Sequence, residues 1–417
     1  MTPAASLRVA SLVALCLVGA CSTPEPEIRG VLDRLVGEPV TIELVQGSAT
    51  FTEEVRLTDA GGVAFDAASL VFKRVNDTTV TFTIPTGVAP GAATLSLGRD
   101  GEAVPYRVPL QLNRAALAYS DQGALELLPL PPATIATTSL TGGGTPAQLA
   151  LSPGGGQVLV LSGTRLRTVN VGRGLSDVGT GFNVAGATCV ATLPDGAVVG
   201  TSSSVLLLTV TAMGQITQQA SFPIPGVRAI ATDRKGLRAA VLSACDTNRD
   251  DLPDADCVTE LVLGSTPSVG RQFVLDSTPS ASFVALRSDG QAAVVADNDA
   301  IYGVTFSSAP PTKLQWMAPA RPVGIDRGPS PLGDLFAIGD GASNLVQLVG
   351  FDGEVLKPVS QIKLAEPPTA LAFGRRSELY VATGTKLHQL DAATASPTPK
   401  LLNVAGSRPI LALQVQR

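Results

Sequence analysis

The chain has 417 residues, 45% of them apolar and 4% aromatic, with 35 acidic against 30 basic side chains and a formal net charge of -5. That apolar share supports sizeable cores and excludes a disordered chain, while an acidic balance without any Lys/Arg-rich run excludes the electrostatic footprint of a nucleic-acid binder. The abundance of Val, Leu, Ala, Thr, Gly and Pro suits short strands joined by tight turns, so the composition predicts an almost all-β protein.

Residues 1–20 read as an export signal. Arg8 supplies the positive region, residues 9–18 (VASLVALCLV) form an apolar run too short to span a bilayer comfortably, and small residues Gly19 and Ala20 follow. Val18-Gly19-Ala20-Cys21 resembles the lipobox of bacterial lipoproteins. The resemblance implies that Cys21 becomes the lipidated first residue of the mature chain, and Ser22 after it implies sorting to the bacterial outer membrane. An ordinary signal with a chance cysteine at its cleavage point is the other reading. Residues 21–29, with Pro24 and Pro26 between Glu25 and Glu27, predict an extended tether. No later apolar run approaches the twenty or so residues of a spanning helix, so the lipid is the expected membrane anchor.

Residues 30–112 read as a separate small β domain. VTIEL (40–44) alternates, residues 70–75 follow, and then comes DTTVTFTIPTGVAPGAATLSL (77–97). Period-two alternation in TVTFTI marks a half-buried strand, residues 85–91 a turn, and ATLSL a further strand. This stretch resembles the second half of IPT/TIG domains, Ig-like modules in which a strand ending in Pro leads through a Gly-containing turn to the last strands. The opening half departs from that pattern, lacking its Pro and Gly-rich start. The resemblance implies an Ig-like β-sandwich for 30–112, and an unrelated Ig-like sandwich is the alternative.

From residue 113 to 417 a phrase of about forty residues recurs: apolar strand, small polar turn, apolar strand. It reads TPAQLALSPGGGQVLV (145–160), GATCVATLPDGAVV (186–199), GVRAIATDRKGLRAAV (226–241), TPSASFVALRSDGQAAVV (278–295), RPVGIDRGPSPLGDLFAI (321–338) and PPTALAFGRRSELYV (367–381). Short strands repeating at that length predict the blades of a β-propeller. RAALAYS (114–120), ALELLPL (124–130) and ATIATTSL (133–140) look like three strands of a blade lacking its inner one. The terminal PILALQV (409–415) supplies it, predicting a seven-bladed ring closed by the C-terminal strand. Six or eight blades follow if a weak phrase is miscounted. The blades resemble bacterial YVTN and NHL-like propellers. The Gly-His and Trp-Asp marks of WD40 blades are missing from a chain with one His and one Trp.

The blade at 226 is longer than the others by a single insertion, Cys245-Asp246-Thr247-Asn248-Arg249-Asp250-Asp251-Leu252-Pro253-Asp254-Ala255-Asp256-Cys257. Of the five cysteines, Cys16 leaves with the signal and Cys21 is acylated, so in an exported compartment Cys245 and Cys257 are natural disulfide partners. Cys189, inside ATCVATL, is expected to be a small buried residue. Oxygen donors on alternate residues aim several side chains at one hard cation, and Asp246, Asn248 and Asp250 satisfy the D-x-[DN]-x-[DN] spacing of calcium loops. The continuation through Asp254 and Asp256 resembles the acidic repeats of thrombospondin type 3. It implies a structural Ca2+ held by Asp246, Asn248, Asp250, Asp254 and Asp256, although Asp251 stands where that family has Gly and Cys257 where a Glu is usual. A solvated acidic turn closed by the disulfide is the other reading of the same residues.

The inner-strand phrases supply Ala, Leu, Val, Thr and Ser where propeller hydrolases and lactonases place metal ligands. Asp233 and Asp326 read as turn residues, and His388, on KLHQL, as a surface or packing residue. No G-x-S-x-G, H-E-x-x-H or phosphate-loop motif occurs. The sequence therefore points away from an enzyme and toward a lipid-anchored envelope protein whose propeller presents a protein- or glycan-binding face, as a subunit of an outer-membrane assembly. A surface adhesin and a propeller hydrolase or lactonase are the alternatives.

Overall fold

The computed structural model describes residues 32–415 apart from short stretches, the longest being 44–50, 129–135, 140–145 and 403–408. The signal segment, Cys21 and the tether lie outside the described residues. Those described form strands and turns with no helix. They divide into two compact units, one built mainly from Glu38–Pro85 and Ala92–Gln111 and the other from Leu112–Arg417.

The first unit holds a five-stranded sheet and a three-stranded one. The larger runs in the order β1 (Leu32–Leu35), β8 (Tyr106–Asn113), β7 (Gly91–Arg99), β3 (Phe51–Thr58), β4 (Ala64–Asp66), and the smaller in the order β2 (Pro39–Glu43), β6 (Thr79–Thr83), β5 (Lys73–Arg74). Alternation dictates which face each sheet buries. On β6, Val80 and Phe82 are fully buried and stand opposite Ile42 and Val40 of β2, which are buried too. On the larger sheet Leu57 pairs with Leu95 and Val55 with Leu97, all four buried.

Among the described residues, the second unit consists of seven four-stranded antiparallel sheets. Their inner strands are Ile410–Val415, Pro146–Leu151, Ala187–Leu193, Val227–Thr232, Phe283–Leu286, Pro322–Gly328 and Ala370–Phe373. Each inner strand touches the next, and the last touches the first, so the sheets are the blades of a closed propeller ring. In blade 1 the inner strand comes from the C-terminus: Ile410–Val415 pairs with Ala116–Ser120, Val415 facing Ala116. Blades 2 to 7 follow in chain order.

Because every blade is sandwiched between two others, its middle strands are covered on both faces. Gly196–Thr201, Ala292–Ala296 and Leu335–Asp340 are buried at every position, which is why they read as unbroken apolar runs instead of alternating ones. Outer strands such as Ser268–Val274 stay exposed and accept Gln, Ser and Arg. Close face-to-face packing also selects small residues. A Cβ on Gly200 would stand 2.4 Å from Val227 Cγ1 of blade 4 and 2.5 Å from Cys189 Sγ, inside contact distance of both.

Threonines rivet neighbouring blades. Thr188 Oγ1 donates to the Val227 carbonyl at 2.8 Å, Thr192 to Leu151 at 2.6 Å, Thr232 to Thr192 at 2.8 Å and Thr369 to Ile410 at 2.7 Å. A hydroxyl that reaches the next inner strand satisfies a carbonyl on a sheet edge facing the channel, a group that would otherwise lack a ladder partner.

Gly200→Ala is expected to lose about 1–3 kcal/mol through overpacking at the blade 3–4 contact, read as a lower urea midpoint at unchanged slope.

Candidate functional site

The insertion in blade 4 is a hairpin loop between Arg238–Cys245 and Ala255–Val262. The strands run further than the sequence suggests. Pairing continues to Cys245 opposite Ala255, so Asp256 and Cys257 lie inside a strand and the loop proper is 246–254. Cys245 and Cys257 form a disulfide with their Cα atoms 5.8 Å apart. Closing a loop of that length stabilises the fold by about 3 kcal/mol in the chain-entropy account.

Side-chain oxygens then order the loop. Thr247 donates from its amide at 2.8 Å and its hydroxyl at 2.7 Å to the two oxygens of Asp254. Those bonds hold the Asp254 carboxyl below the usual carboxylate range. Asn248 Oδ1 accepts from the Asp250 amide at 3.0 Å, Asp250 Oδ1 from the Leu252 amide at 3.0 Å, and Asn248 Nδ2 donates to Asp250 Oδ2 at 3.2 Å. Leu252, at the tip, is 67% exposed.

The five sequence-derived cation donors are thereby divided. Asp246, Asn248, Asp250 and Asp254 stay on the loop, while Asp256 is fully buried. The Asp256 carboxylate pairs with Arg228 of the same blade and accepts the amides of Ser280 (3.1 Å) and Ala281 (2.8 Å), just ahead of the inner strand of blade 5. Its own carbonyl accepts the Leu275 amide at 2.7 Å. Ser280 Oγ donates in turn to Asp297, a second fully buried carboxylate, which also accepts the Asn298 amide at 2.6 Å. Arg228 is also within electrostatic reach of Asp297: burial lowers its pKa, and the charge of Asp297 offsets part of that lowering. Among the described residues no group of three or more His, Cys, Asp or Glu is gathered to hold a metal ion.

Sequence reasoning missed Arg228, Ser280 and Asp297. The available signal was Arg228 itself, the one charge in the inner strand VRAIAT. A comparable tie joins blades 5 and 6, where Asp334 takes Arg327 Nη1 at 3.2 Å, Arg287 Nε at 3.8 Å and the Ser288 amide at 2.7 Å.

The remaining candidates are structural. Asp233 is a turn residue whose Oδ1 accepts the amides of Leu237 (2.7 Å) and Arg238 (3.0 Å). Asp326 is not in a turn. It lies within Pro322–Gly328, and its carboxylate accepts the Arg327 amide at 2.8 Å and, across the blade boundary, the Phe373 amide at 2.7 Å. His388 Nε2 shares a 3.0 Å hydrogen bond with Thr383 Oγ1, and burial lowers its pKa, leaving the imidazole neutral at pH 7. Cys189 is fully buried, with its thiol pushed up to about 11 by desolvation, far from nucleophilic character.

No protein-family model and no curated protein matches the sequence. Solved structures do. A functionally unknown protein from Desulfotomaculum acetoxidans superposes with a TM-score of 0.55 at 13% identity, over 72% of this chain and 98% of that one. Apo AztD from Citrobacter koseri superposes at 0.53 and 13%, over 72% and 96%. A Bacteroides uniformis protein provisionally assigned as a 6-phosphogluconolactonase superposes at 0.53 and 12%, over 72% and 99%. At such identities the likeness establishes a shared fold and carries no activity with it.

Arg228→Met is expected to cost about 3–5 kcal/mol in denaturant unfolding, because it strands the buried Asp256 carboxylate without its cation. A loss below about 1 kcal/mol would mean that solvent and the Ser280 and Ala281 amides, not the guanidinium, stabilise that carboxylate.

Proposed function

We propose that this is a lipid-anchored protein of the bacterial outer membrane, acylated at Cys21, in which an Ig-like module (30–112) is followed by a propeller that presents a binding face to an envelope protein or glycan as part of an outer-membrane assembly. The observation that carries this reading is the blade 4 hairpin. A disulfide and side-chain-to-amide hydrogen bonds at Thr247 and Leu252 restrain an exposed, acidic loop, which suits recognition because restraint lowers the ordering entropy lost on binding.

A lactonase or hydrolase reading draws on the provisional name of the Bacteroides protein. Among the described residues, the inner strands bring one carboxylate, Asp326, and no His, and that carboxylate already accepts two amides. The engagement of that carboxylate by two amides is what favours the binding reading over this one.

Calcium belongs to the same proposal as a structural ion on Asp246, Asn248, Asp250 and Asp254. Each oxygen of Asp250 and Asp254 that accepts a hydrogen bond retains a second lone pair for a hard cation. Millimolar calcium is expected to raise the melting temperature of the wild type and not that of Asp250→Asn/Asp254→Asn. An equal melt with and without chelator assigns the loop to its staple and amide bonds alone.

The binding reading is tested by affinity purification of the tagged protein from gently solubilised envelopes, followed by mass spectrometry. A defined outer-membrane complex is the expected result, and Cys21→Ala is expected to release the protein to the soluble fraction. A partnerless monomer would send the search to glycans and small substrates, and protease sensitivity on intact cells would identify an adhesin.

A further inference from the structure

The disulfide and the buried acid network are continuous. Cys257 is the residue after Asp256, on a strand where successive side chains point to opposite faces, so the staple pins one face while the carboxylate reaches into blade 5 from the other. Within that one strand residue are gathered the Leu275, Ser280 and Ala281 amides, the Arg228 guanidinium and, through Ser280 Oγ, Asp297. These groups span the chain's passage out of blade 4 and into blade 5.

We propose that the Cys245–Cys257 disulfide is a redox-sensitive clasp of the blade 4–5 seam: oxidised, it fixes the hairpin that delivers Asp256 to blade 5; reduced, it lets that end of the hairpin fray and the seam loosens. The chemistry is thiol–disulfide exchange with a dithiol reductant. Cys245 is half-buried and Cys257 fully buried, so the reductant's thiolate attacks Cys245 Sγ and the S–S bond breaks with Cys257 as leaving thiolate. The reductant's second thiol then displaces Cys245, closing to its own disulfide. Two electrons pass to the protein, and with two protons both cysteines end as thiols.

The alternative is a staple that acts on its loop alone. The two differ in which amides respond. Fraying that stops at 246–254 frees the Thr247 amide from Asp254 and leaves Ser280 and Ala281 protected, whereas a clasp transmits its loss to residues far along the chain and in the next blade.

Hydrogen exchange with mass-spectrometric readout on the whole chain, oxidised and after treatment with a dithiol, separates them. The clasp predicts at least tenfold faster exchange of the Ser280 and Ala281 amides on reduction, with the Gln157–Ser162 strand of blade 2 changing less than twofold as an internal reference. Asp256→Asn, which keeps the disulfide, is expected to accelerate the same two amides, and reduction of that variant to add less than twofold more, since the shared path is already cut. Acceleration confined to the loop overturns the proposal, as does a ring-wide rise that includes the blade 2 reference, which would mark global destabilisation.

Discussion

Everything in the propeller depends on blades packing against blades. A single four-stranded sheet of this kind has two apolar faces and no core of its own. The buried clusters accordingly cross sheet boundaries: Ala229, Ala240 and Leu242 of blade 4 sit with Val284, Ala293 and Tyr302 of blade 5, and Leu335, Ala337 and Leu348 of blade 6 with Leu371, Phe373 and Leu379 of blade 7. Such a stack is stable only without ends, because a terminal blade would expose one whole apolar face. The pairing of Ile410–Val415 with Ala116–Ser120 is the covalent economy that removes both ends, and it places the last strand of the chain where the first blade needs an inner one.

This constraint explains where polar groups are allowed. Inside a seam, a side chain must bring its own partner from the opposite blade, and the threonine rivets do so at low desolvation cost. The acids are the expensive version. Asp256, Asp297 and Asp334 are desolvated and retained with arginines and neighbouring amides. Pairs of this type commonly contribute little net stability relative to an apolar contact, while the breaking of one is costly. In a ring of near-identical interfaces a buried charge gives one seam an identity, favouring a single order of blades over slipped alternatives.

The repeat was legible because seam packing writes it into the sequence twice, as apolar runs at the middle strands and as small turns at fixed spacing. GAVVG and AAVVA belong to the apolar strands of the repeated phrase and are buried throughout, and the period-two alternation of TVTFT marks a half-buried strand, the one on which Val80 and Phe82 are buried. The site was less legible. D-x-D spacing says that oxygens recur every second residue but not whether the backbone between them is loop or strand. Asp254 lies before the strand and turns back to Thr247, whereas Asp256 lies within it and faces the next blade. Asp326 misled in the same way: followed by Arg and Gly it looks like a turn, and only the partner strand supplying the Phe373 amide makes it a seam residue. Contacts of this kind join residues dozens of positions apart, beyond the reach of local spacing.

The division of the loop's acids also bears on what the hairpin is for. An insertion that merely filled space would be free to vary in shape, yet here its two ends are joined by a disulfide and, beside Cys257, Asp256 is built into the neighbouring seam. Both devices reduce the loop's freedom, one through the fold and one through a covalent bond. Exposed Leu252 is carried between them on amide bonds to acidic side chains. Holding an apolar side chain in water costs about 1.5–3 kcal/mol relative to burying it, so rigidity at that point stabilises nothing in the free protein. A partner that covered the tip would recover that energy, which is the physical argument behind the proposal that the hairpin is a binding surface.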